Sequence, residues 1–331
     1  MVKVKTNNVT VKSNPVKEFF ISYPAVAIII LLLVVFSILD PGFFSIGTFQ
    51  IVMKGNAYLL IAAIAETLVI LTGGIDLSVS TVMALSAVVS CLCMDVTGAG
   101  AASILVGLVV ALVVGLVFGV VNGVFVGHFG MQPFIVTMGT RLVASGIACA
   151  LTKSVATPGP ESMVMFGFHK IAEIPTIFII SVLVLIVMAV FVKQSKWGRE
   201  LVLFGSNKES AKYCGINVKL VEMVAYSLSG LLSGLAGFFT IVVLGVGQPT
   251  IGATNLLIII GAVVLGGTSM TGGEGSVART FIGITLLAFL QAGLNATGVP
   301  YTTQMIIEGL IIFIGYSLSV NVTARSSSAV K

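Results

Sequence analysis

The chain alternates between long apolar runs and short polar segments from residue 19 to residue 320. A helix needs roughly 20 mostly apolar residues to cross the hydrocarbon core of a bilayer, and about ten runs meet this criterion. The predicted spans cover residues 19–39, 51–72, 79–96, 101–126, 133–151, 174–192, 220–243, 255–270, 277–294 and 303–320. The pattern therefore predicts an all-α fold, a polytopic bundle of membrane-spanning helices.

The composition supports a membrane protein. Of the 331 residues, 57% are hydrophobic and only 9% are charged, whereas a soluble domain carries about 25% charged residues. The formal net charge is +5, but there is no basic patch on a soluble domain that would bind nucleic acid. The excess of positive charge is better explained by membrane topology. We therefore expect lipid around the chain and no nucleic-acid partner.

The distribution of lysine and arginine predicts the orientation. With an even number of spans and the N-terminus inside, the cytoplasmic segments contain most of the 17 basic residues. These cytoplasmic residues are Lys3, Lys5, Lys12, Lys17, Lys193, Lys196, Arg199, Lys208, Lys212, Lys219, Arg279, Arg325 and Lys331. Because cytoplasmic loops of membrane proteins are enriched in basic residues, both termini are predicted to be cytoplasmic.

This topology divides the chain into three parts. A cytoplasmic tail covers residues 1–18, the transmembrane domain covers residues 19–320, and a second cytoplasmic tail covers residues 321–331. Two polar segments inside the transmembrane domain are long enough to contact partners. One is an outside loop, residues 152–173, and the other is a basic cytoplasmic segment, residues 193–219.

Glycines recur every four residues in the fourth predicted span, and this spacing places them on one face of a helix. The series is Gly115, Gly119, Gly123 and Gly127, and the seventh span repeats the spacing at Gly230 and Gly234. Small residues at this spacing let neighbouring helix backbones approach closely. We therefore expect the ridge to be a packing surface.

The basic cytoplasmic segment contains the string GSNKESAKYCG, which predicts a short helix. Ser206, followed three residues later by Glu209, matches the sequence of a capping box, and Gly215 suits a left-handed stop. A helix of two turns is hardly stable alone in water. It is therefore expected to pack against the bundle or against a partner.

The turn between the second and third spans reads TGGIDLS. Gly73 and Gly74 are expected to end one helix, and Asp76 or Ser78 to cap the next through a side-chain oxygen. A contact of Asp76 with a substrate or a gate is the alternative. A similar string, TGGEGSV, lies near residue 272 and is predicted to fall on the same side of the membrane.

Three ionisable residues inside the spans, Glu66, Arg141 and Glu308, are candidates for a polar pathway. Charges at this depth are costly and usually face a cavity or one another. Two roles remain open for Arg141 and Glu308: they line a polar pathway, or they form a structural ion pair. Glu222, near a cytoplasmic helix end, is expected to be solvated.

The sequence contains no motif for catalysis or nucleotide binding. There is no G-x-x-x-x-G-K-[ST] phosphate loop, only two histidines are present, and Cys91 and Cys93 lack the spacing and partners of a zinc site. We therefore expect no catalytic residue, no metal site and no cofactor bound by this chain.

Several strings resemble the permease subunits of bacterial ribose-type ABC importers. The matching strings are GGIDLSVS, PGFFSIGTF, NGVFVGHFGMQPFIVTMGT, GRELVLFGSNKESAKYCGI and AVVLGGTSMTGGEGS, in the order of that family. The resemblance implies the transmembrane half of a sugar importer in the bacterial inner membrane. It also implies three partners: a second permease subunit, identical or paralogous, a cytoplasmic ATPase that binds ATP and Mg, and an extracytoplasmic sugar-binding protein.

The resemblance suggests a role for each of the two polar segments. The cytoplasmic one is expected to contact the ATPase through Gly198, Arg199, Glu200, Gly205, Ser206, Asn207, Glu209, Ala211 and Gly215. Binding of its lysines to anionic lipid headgroups is the alternative. The outside loop is expected to dock the binding protein through Lys153, Glu161, His169, Lys170 and Glu173, or else to be a solvated connector.

A second class of function remains possible on the sequence alone. In a stand-alone secondary transporter, Glu66, Arg141 and Glu308 would relay protons. The cytoplasmic helix, the absence of inverted halves and the resemblance favour the ATP-driven permease. Dependence of uptake on ATP rather than on the proton gradient separates the two classes.

Overall fold

The computed structural model describes residues 24–98 and 100–328, and most of these residues are helical. The helices are α1 (Pro24–Leu39), α2 (Ile46–Leu71), α3 (Val79–Thr97), α4 (Ala101–Gly123, extended by a π-helix, Val124–His128), α5 (Pro133–Thr152), α6 (Glu161–Phe166), α7 (Thr176–Gln194), α8 (Lys196–Ser206), α9 (Lys208–Tyr213), α10 (Val218–Leu244), α11 (Ile251–Leu265), α12 (Val277–Ala296) and α13 (Tyr301–Ser328). The predicted tail 1–18, the first five residues of the span 19–39 and residues 329–331 lie outside the described residues.

Seven of the described helices are long and apolar enough to cross a membrane: α2, α3, α4 with its extension, α5, α7, α10 and α12. Helices α1 and α11 are apolar but shorter, with 16 and 15 residues. Helix α13 continues to Ser328 instead of ending near residue 320. The prediction of an all-α membrane bundle is confirmed, whereas the count of about ten crossings stays a prediction.

The bundle has a buried centre and a shell that faces outward. In α2, 83% of the most apolar stretch is buried, against 22% in α4, α5 and α7. Helix α2 packs against α10, α12, α7 and α11, so it occupies the middle of the molecule. Because lipid is as apolar as a protein core, the exposed apolar faces of α4, α5 and α7 suit contact with hydrocarbon.

The glycine ridge of α4 is a packing surface, as predicted, and the helix that packs on it is α10. A Cβ added at Gly115 or Gly119 would overlap the backbone of α10 near Gly230 and Gly234. A Cβ at Gly123 would come within 2.8 Å of the Met223 carbonyl oxygen. The two glycine series therefore face each other, and the backbones of α4 and α10 are in direct contact.

Helix α2 connects two ends of the molecule. With 26 residues it is about 39 Å long. Its first turns contact the outside loop, where strand β2 (Lys170–Ile171) pairs with β3 (Ile174–Pro175). The strand β1 (Thr157–Pro158) of the same loop pairs with β4 (Val246–Gly247) after α10. The last residue of α2 contacts the loop after α11, at the end that also holds the segment 193–219.

Candidate functional site

The segment 193–219 folds into two consecutive helices, α8 and α9, rather than one. Ser195 caps α8, because its hydroxyl accepts a hydrogen bond from the Gly198 N–H at 2.9 Å. One face of α8 is buried through Gly198, Leu201 and Phe204. Helix α8 was not predicted from the sequence, although Ser195 before apolar residues at helical spacing indicates a helix start.

The predicted capping box at Ser206 is wrong by one residue. Ser206 is still helical at the end of α8, and its hydroxyl donates to the Val202 carbonyl at 3.0 Å. Asn207 has the extended backbone that a cap requires, with φ −162°. Its side-chain oxygen accepts the Ser210 N–H at 2.8 Å. Helix α9 therefore begins directly after α8 ends, and Asn207 is the single residue between them.

The end of α9 follows the prediction. Gly215 has φ +79°, the left-handed conformation that favours glycine. The Ile216 N–H donates to the Ala211 carbonyl at 3.1 Å, and the Gly215 N–H donates to Lys212 at 3.0 Å. These two bonds form a Schellman motif. Ala211 of α9 is buried, so α9 packs against the bundle as expected.

Three backbone segments meet where α8 ends, and we call this contact the junction: residues 71–74, 204–207 and 271–273. The Gly273 N–H donates to the Leu71 carbonyl at 2.9 Å. A Cβ at Gly205 would overlap that same carbonyl, and a Cβ at Gly272 would lie 2.6 Å from the Gly73 nitrogen. The two similar strings of the sequence, TGGIDLS and TGGEGSV, are therefore direct neighbours, with the end of α8 packed on both.

The two glycines of the first string have different roles. Gly73 has φ +82° and ends α2 in the left-handed conformation. Gly74 lies beside the Tyr226 ring of α10, where an added Cβ would come within 2.5 Å of the phenol oxygen. The first glycine is required by backbone conformation and the second by close packing.

An ion pair fixes α9 to α10. The ammonium nitrogen of Lys208 lies 3.2 Å from a carboxylate oxygen of Glu222. The Glu222 side chain is only 12% exposed, so the expectation that it is solvated is wrong. The reason is tertiary: α9 folds back over the first turns of α10 and covers this carboxylate.

Asp76 does not cap α3 through a free helical N–H group, and the hydroxyl of Ser78 makes no capping bond either. The Asp76 carboxylate accepts the Ser78 N–H at 2.9 Å, the Ser78 hydroxyl, and the Ser229 hydroxyl at 3.1 Å. Asn122 of α4 in turn donates to the Ser78 hydroxyl at 2.9 Å. Asp76 thus connects the turn to α3, α4 and α10 through a buried network.

The electrostatics of Asp76 follow from its burial. Loss of hydration raises the pKa of this carboxyl above its ordinary value, and the hydrogen bonds from Ser78 and Ser229 oppose that rise. The Asp76 N–H donates to the Glu66 carboxylate of α2 at 3.2 Å. Two acidic side chains are therefore buried together next to the junction.

The three candidate pathway residues are not joined to one another. Glu66 is fully buried in α2, whereas Arg141 in α5 and Glu308 in α13 are partly buried. No hydrogen bond or ion pair among the described residues links any two of these three side chains. In the described part of the chain, Glu66, Arg141 and Glu308 therefore do not contact one another directly.

The five charged residues of the outside loop are all exposed, at Lys153, Glu161, His169, Lys170 and Glu173. Gln50 at the start of α2 organises two of them: its amide nitrogen donates to the Glu173 carboxylate at 2.7 Å, and its oxygen accepts from Lys170 at 2.6 Å. The His169 ring lies 2.7 Å from the Thr176 hydroxyl. The loop is ordered against the bundle and presents charge outward.

The other predicted contact residues of the segment 193–219 lie on its surface or at its turns. Arg199 and Glu209 are exposed, and the Glu200 carboxylate lies 3.7 Å from the Lys196 ammonium one turn earlier. Gly198 and Gly205 are positions of close backbone contact instead. The segment thus presents charged side chains outward and packs glycines and apolar side chains inward.

Comparison with known proteins agrees with a transport subunit. The family described as branched-chain amino acid transport system / permease component matches residues 47–315. The chain belongs to this family of permease components, and it is a multi-pass membrane protein.

Individual relatives are similar over nearly the whole chain. The ribose import permease protein of Bacillus subtilis is 37% identical over 87% of this chain and 89% of its own length. The ribose import permease protein of Escherichia coli is 33% identical over 90% and 93%, and the fructose import permease protein of Bifidobacterium longum is 33% identical over 88% and 87%. No solved structure matches the chain.

Proposed function

We propose that this chain is the permease subunit of an ATP-driven, binding-protein-dependent ABC importer for a monosaccharide. The observation that carries this proposal is the near full-length similarity to permeases named for ribose and fructose import. Permease components of such importers work with a separate ATPase and a substrate-binding protein. ATP and Mg would bind to that ATPase and not to this chain, and a second permease subunit, identical or paralogous, would complete the pathway.

The proposed topology has about ten crossings and both termini in the cytoplasm, with the chain in a bacterial inner membrane. The position of the two polar segments supports it, because they contact opposite ends of α2. On this topology the segment 193–219 is cytoplasmic and the loop 152–173 is outside. The excess of basic residues in the first of these favours the same orientation.

The residues from Gly198 to Gly215 form the proposed contact with the ATPase. A permease without a nucleotide site must receive mechanical work through an ordered surface that is attached to its spans. Helices α8 and α9 suit this task, because the junction attaches them to α2 and to the loop after α11, and the ion pair of Lys208 with Glu222 attaches them to α10. A motion of α9 would therefore be transmitted to at least three elements of the bundle.

The outside loop is the proposed docking site for the binding protein, through its five exposed charged residues. Arg141 and Glu308 are the proposed pathway residues, since both are partly exposed on outer helices. Glu66 is assigned to the Asp76 network instead, because its side chain is fully buried and bonded there.

The test is ATP hydrolysis by the reconstituted complex. The chain is co-expressed with candidate ATPase and binding-protein subunits from the same organism, and purified in lipid nanodiscs. We expect hydrolysis to be stimulated by binding protein loaded with a monosaccharide such as ribose or fructose. Stimulation by leucine-loaded protein in place of sugar would exclude the sugar class, and failure to co-purify with any ATPase would exclude the importer.

A further inference from the structure

Two of the three candidate pathway residues reach the surface of the molecule. Arg141 in α5 and Glu308 in α13 are partly exposed, whereas Glu66 is enclosed in α2. Arg141 has no hydrogen-bond partner and no acidic partner in the described part of the chain. Glu308 contacts the neutral amide of Gln291 in α12, and no basic side chain that the structure describes pairs with it. Each residue therefore carries a charge that no described side chain of this chain neutralises.

Both charges lie at membrane depth. Arg141 is about 12 Å from the start of α5 and Glu308 about 10 Å from the start of α13, at 1.5 Å per residue. On the proposed topology α5 starts inside and α13 starts outside, so both residues fall well within a hydrocarbon core of about 30 Å. Exposure of a charge to lipid at this depth is unfavourable. We therefore expect another protein surface to cover these two side chains.

The packing of the bundle places the two charges at opposite edges of a row of four helices. Helix α5 packs on α3, α3 packs on α11, and α11 packs on α13. The described residues of α5 and α13 do not pack against each other. Leu257 of α11, inside this row, is 70% exposed. No atom lies within 4 Å of a Cβ added at Gly309, next to Glu308, so a neighbouring helix has room to approach there.

A second copy of this chain supplies the missing charges. Two identical membrane subunits with the same orientation are related by a two-fold axis along the membrane normal, and in such an interface each contact occurs twice. A half turn about an axis in front of this row exchanges its two edges and keeps every residue at its depth. Helix α5 of each copy then lies opposite α13 of the other. The arginine of one copy meets the glutamate of the other on both sides of the axis.

We propose that the second permease subunit is an identical copy, and that Arg141 of each copy forms an ion pair with Glu308 of the partner subunit. The inference rests on the proposed function, which supplies the second subunit and the orientation. The long arginine side chain bridges the small difference in depth between the two positions. The two ion pairs flank the space between the copies, which places both residues beside the proposed pathway. One chain carries both charges, so a paralogous subunit is not needed to complete the pairs.

The first test is charge reversal in mixed complexes. Arg141→Glu and Glu308→Arg are expressed separately, and then together with two different affinity tags, so that successive purification isolates the mixed complex. Each variant alone brings like charges together twice, and we expect the yield of the permease dimer and the uptake of sugar to fall by about tenfold or more. In the mixed complex both contacts join opposite charges. We expect its yield and uptake to be close to those of the parent.

The matched controls combine each variant with the parent chain. Such a complex keeps one native ion pair and contains one contact between like charges, so its uptake should stay well below that of the parent. An ion pair inside one chain would not be restored by mixing the two variants, because each chain would keep its own like charges. Recovery that is specific to the mixture of Arg141→Glu with Glu308→Arg therefore identifies a contact between copies.

Cross-linking tests the same contact without reversing a charge. The four native cysteines are replaced by alanine, and Arg141→Cys with one tag is co-expressed with Glu308→Cys with the other. We expect a short bismaleimide to give a covalent dimer. The control uses Leu142→Cys in place of Arg141→Cys. Leu142 is also exposed, but its side chain points about 100° further around α5, so the yield of cross-linked dimer should be much lower.

The inference is overturned if both single variants take up sugar like the parent, or if an assembled mixture shows no recovery. Should no mixture assemble, absence of the cross-link overturns it. An active importer that contains only one copy of this chain overturns it as well. In each case ATP-dependent uptake by the parent leaves the proposed function intact. Absence of such uptake in the parent would instead contradict the proposed function, and the cross-link can be measured independently of it.

Discussion

The ammonium of Lys208, in the first turn of α9, lies 3.2 Å from the carboxylate of Glu222, in the second turn of α10. The two residues are 14 positions apart, and the carboxylate is almost entirely covered. Helix α10 packs along α4, α2 and α3. This one contact therefore connects a short surface helix to the centre of the bundle.

The first prediction concerns that ion pair. Lys208→Glu should weaken the coupling of ATP hydrolysis to uptake, because it places two carboxylates together. Glu222→Lys should also weaken it, because it places two ammonium groups together. The double variant restores opposite charges and should recover part of the loss, with a coupling free energy of about 0.5–1 kcal/mol in thermal unfolding. Additive effects of the two single variants would show that the pair is not energetically linked.

Helix α9 is tested by Ala211→Pro. The substitution removes the hydrogen bond from the Ala211 N–H to the Asn207 carbonyl at 3.0 Å and costs about 3 kcal/mol in a helix interior. We expect normal membrane insertion, poor co-purification with the ATPase and loss of uptake. The control is Ala211→Gly, which keeps the N–H group and should retain most of the uptake. Parental uptake in the proline variant would place the ATPase contact elsewhere and favour binding of the segment to lipid headgroups.

The packing role of the glycine ridge is tested by comparing leucine substitutions at two glycines, one in the ridge and one outside it. Gly119→Leu should lower the folded yield and the melting temperature in detergent, because the side chain would overlap the α10 backbone at Tyr226 and Gly230. Overpacking of this kind costs roughly 1–3 kcal/mol or more. Gly139→Leu is the matched control, since no atom lies within 4 Å of the Cβ it would carry. Equal stability of the two variants would contradict the packing role.

The outside loop is tested by replacing its five charged residues together with glutamine. Glutamine at positions 170 and 173 can keep hydrogen bonds to Gln50, so the fold of the loop should be retained. We expect weaker stimulation of ATP hydrolysis by loaded binding protein, and a smaller dependence of that stimulation on salt concentration. If stimulation is the same as in the parent at low and at high salt, the loop is a solvated connector.

Periodic features were the most predictable from the sequence. The apolar runs located the helices because burial in lipid requires about 20 such residues. The four-residue glycine spacing located the face of α4 that packs on a neighbouring helix, but not which helix that is. Gly215 was also predicted correctly, since a left-handed helix end is a local property. These features depend on neighbours within a few residues.

Features that depend on tertiary contact were not predictable. Ser206 matches a capping box, but α8 continues through it and leaves Asn207 to cap α9. Glu222 is polar and near a helix end, yet α9 covers it. Asp76 has the sequence position of a cap, and its partner Ser229 lies 153 residues away. No local pattern carries information on such partners.

The energy source of uptake distinguishes a permease driven by ATP from a transporter driven by the proton gradient. Proteoliposomes with the permease and its ATPase are supplied with sugar-loaded binding protein outside, and uptake of radiolabelled sugar is measured with and without internal ATP and with and without a protonophore. We expect uptake that requires internal ATP and continues when the proton gradient has been collapsed. Uptake that continues without ATP and stops with the protonophore would contradict it, and would identify a proton-coupled transporter.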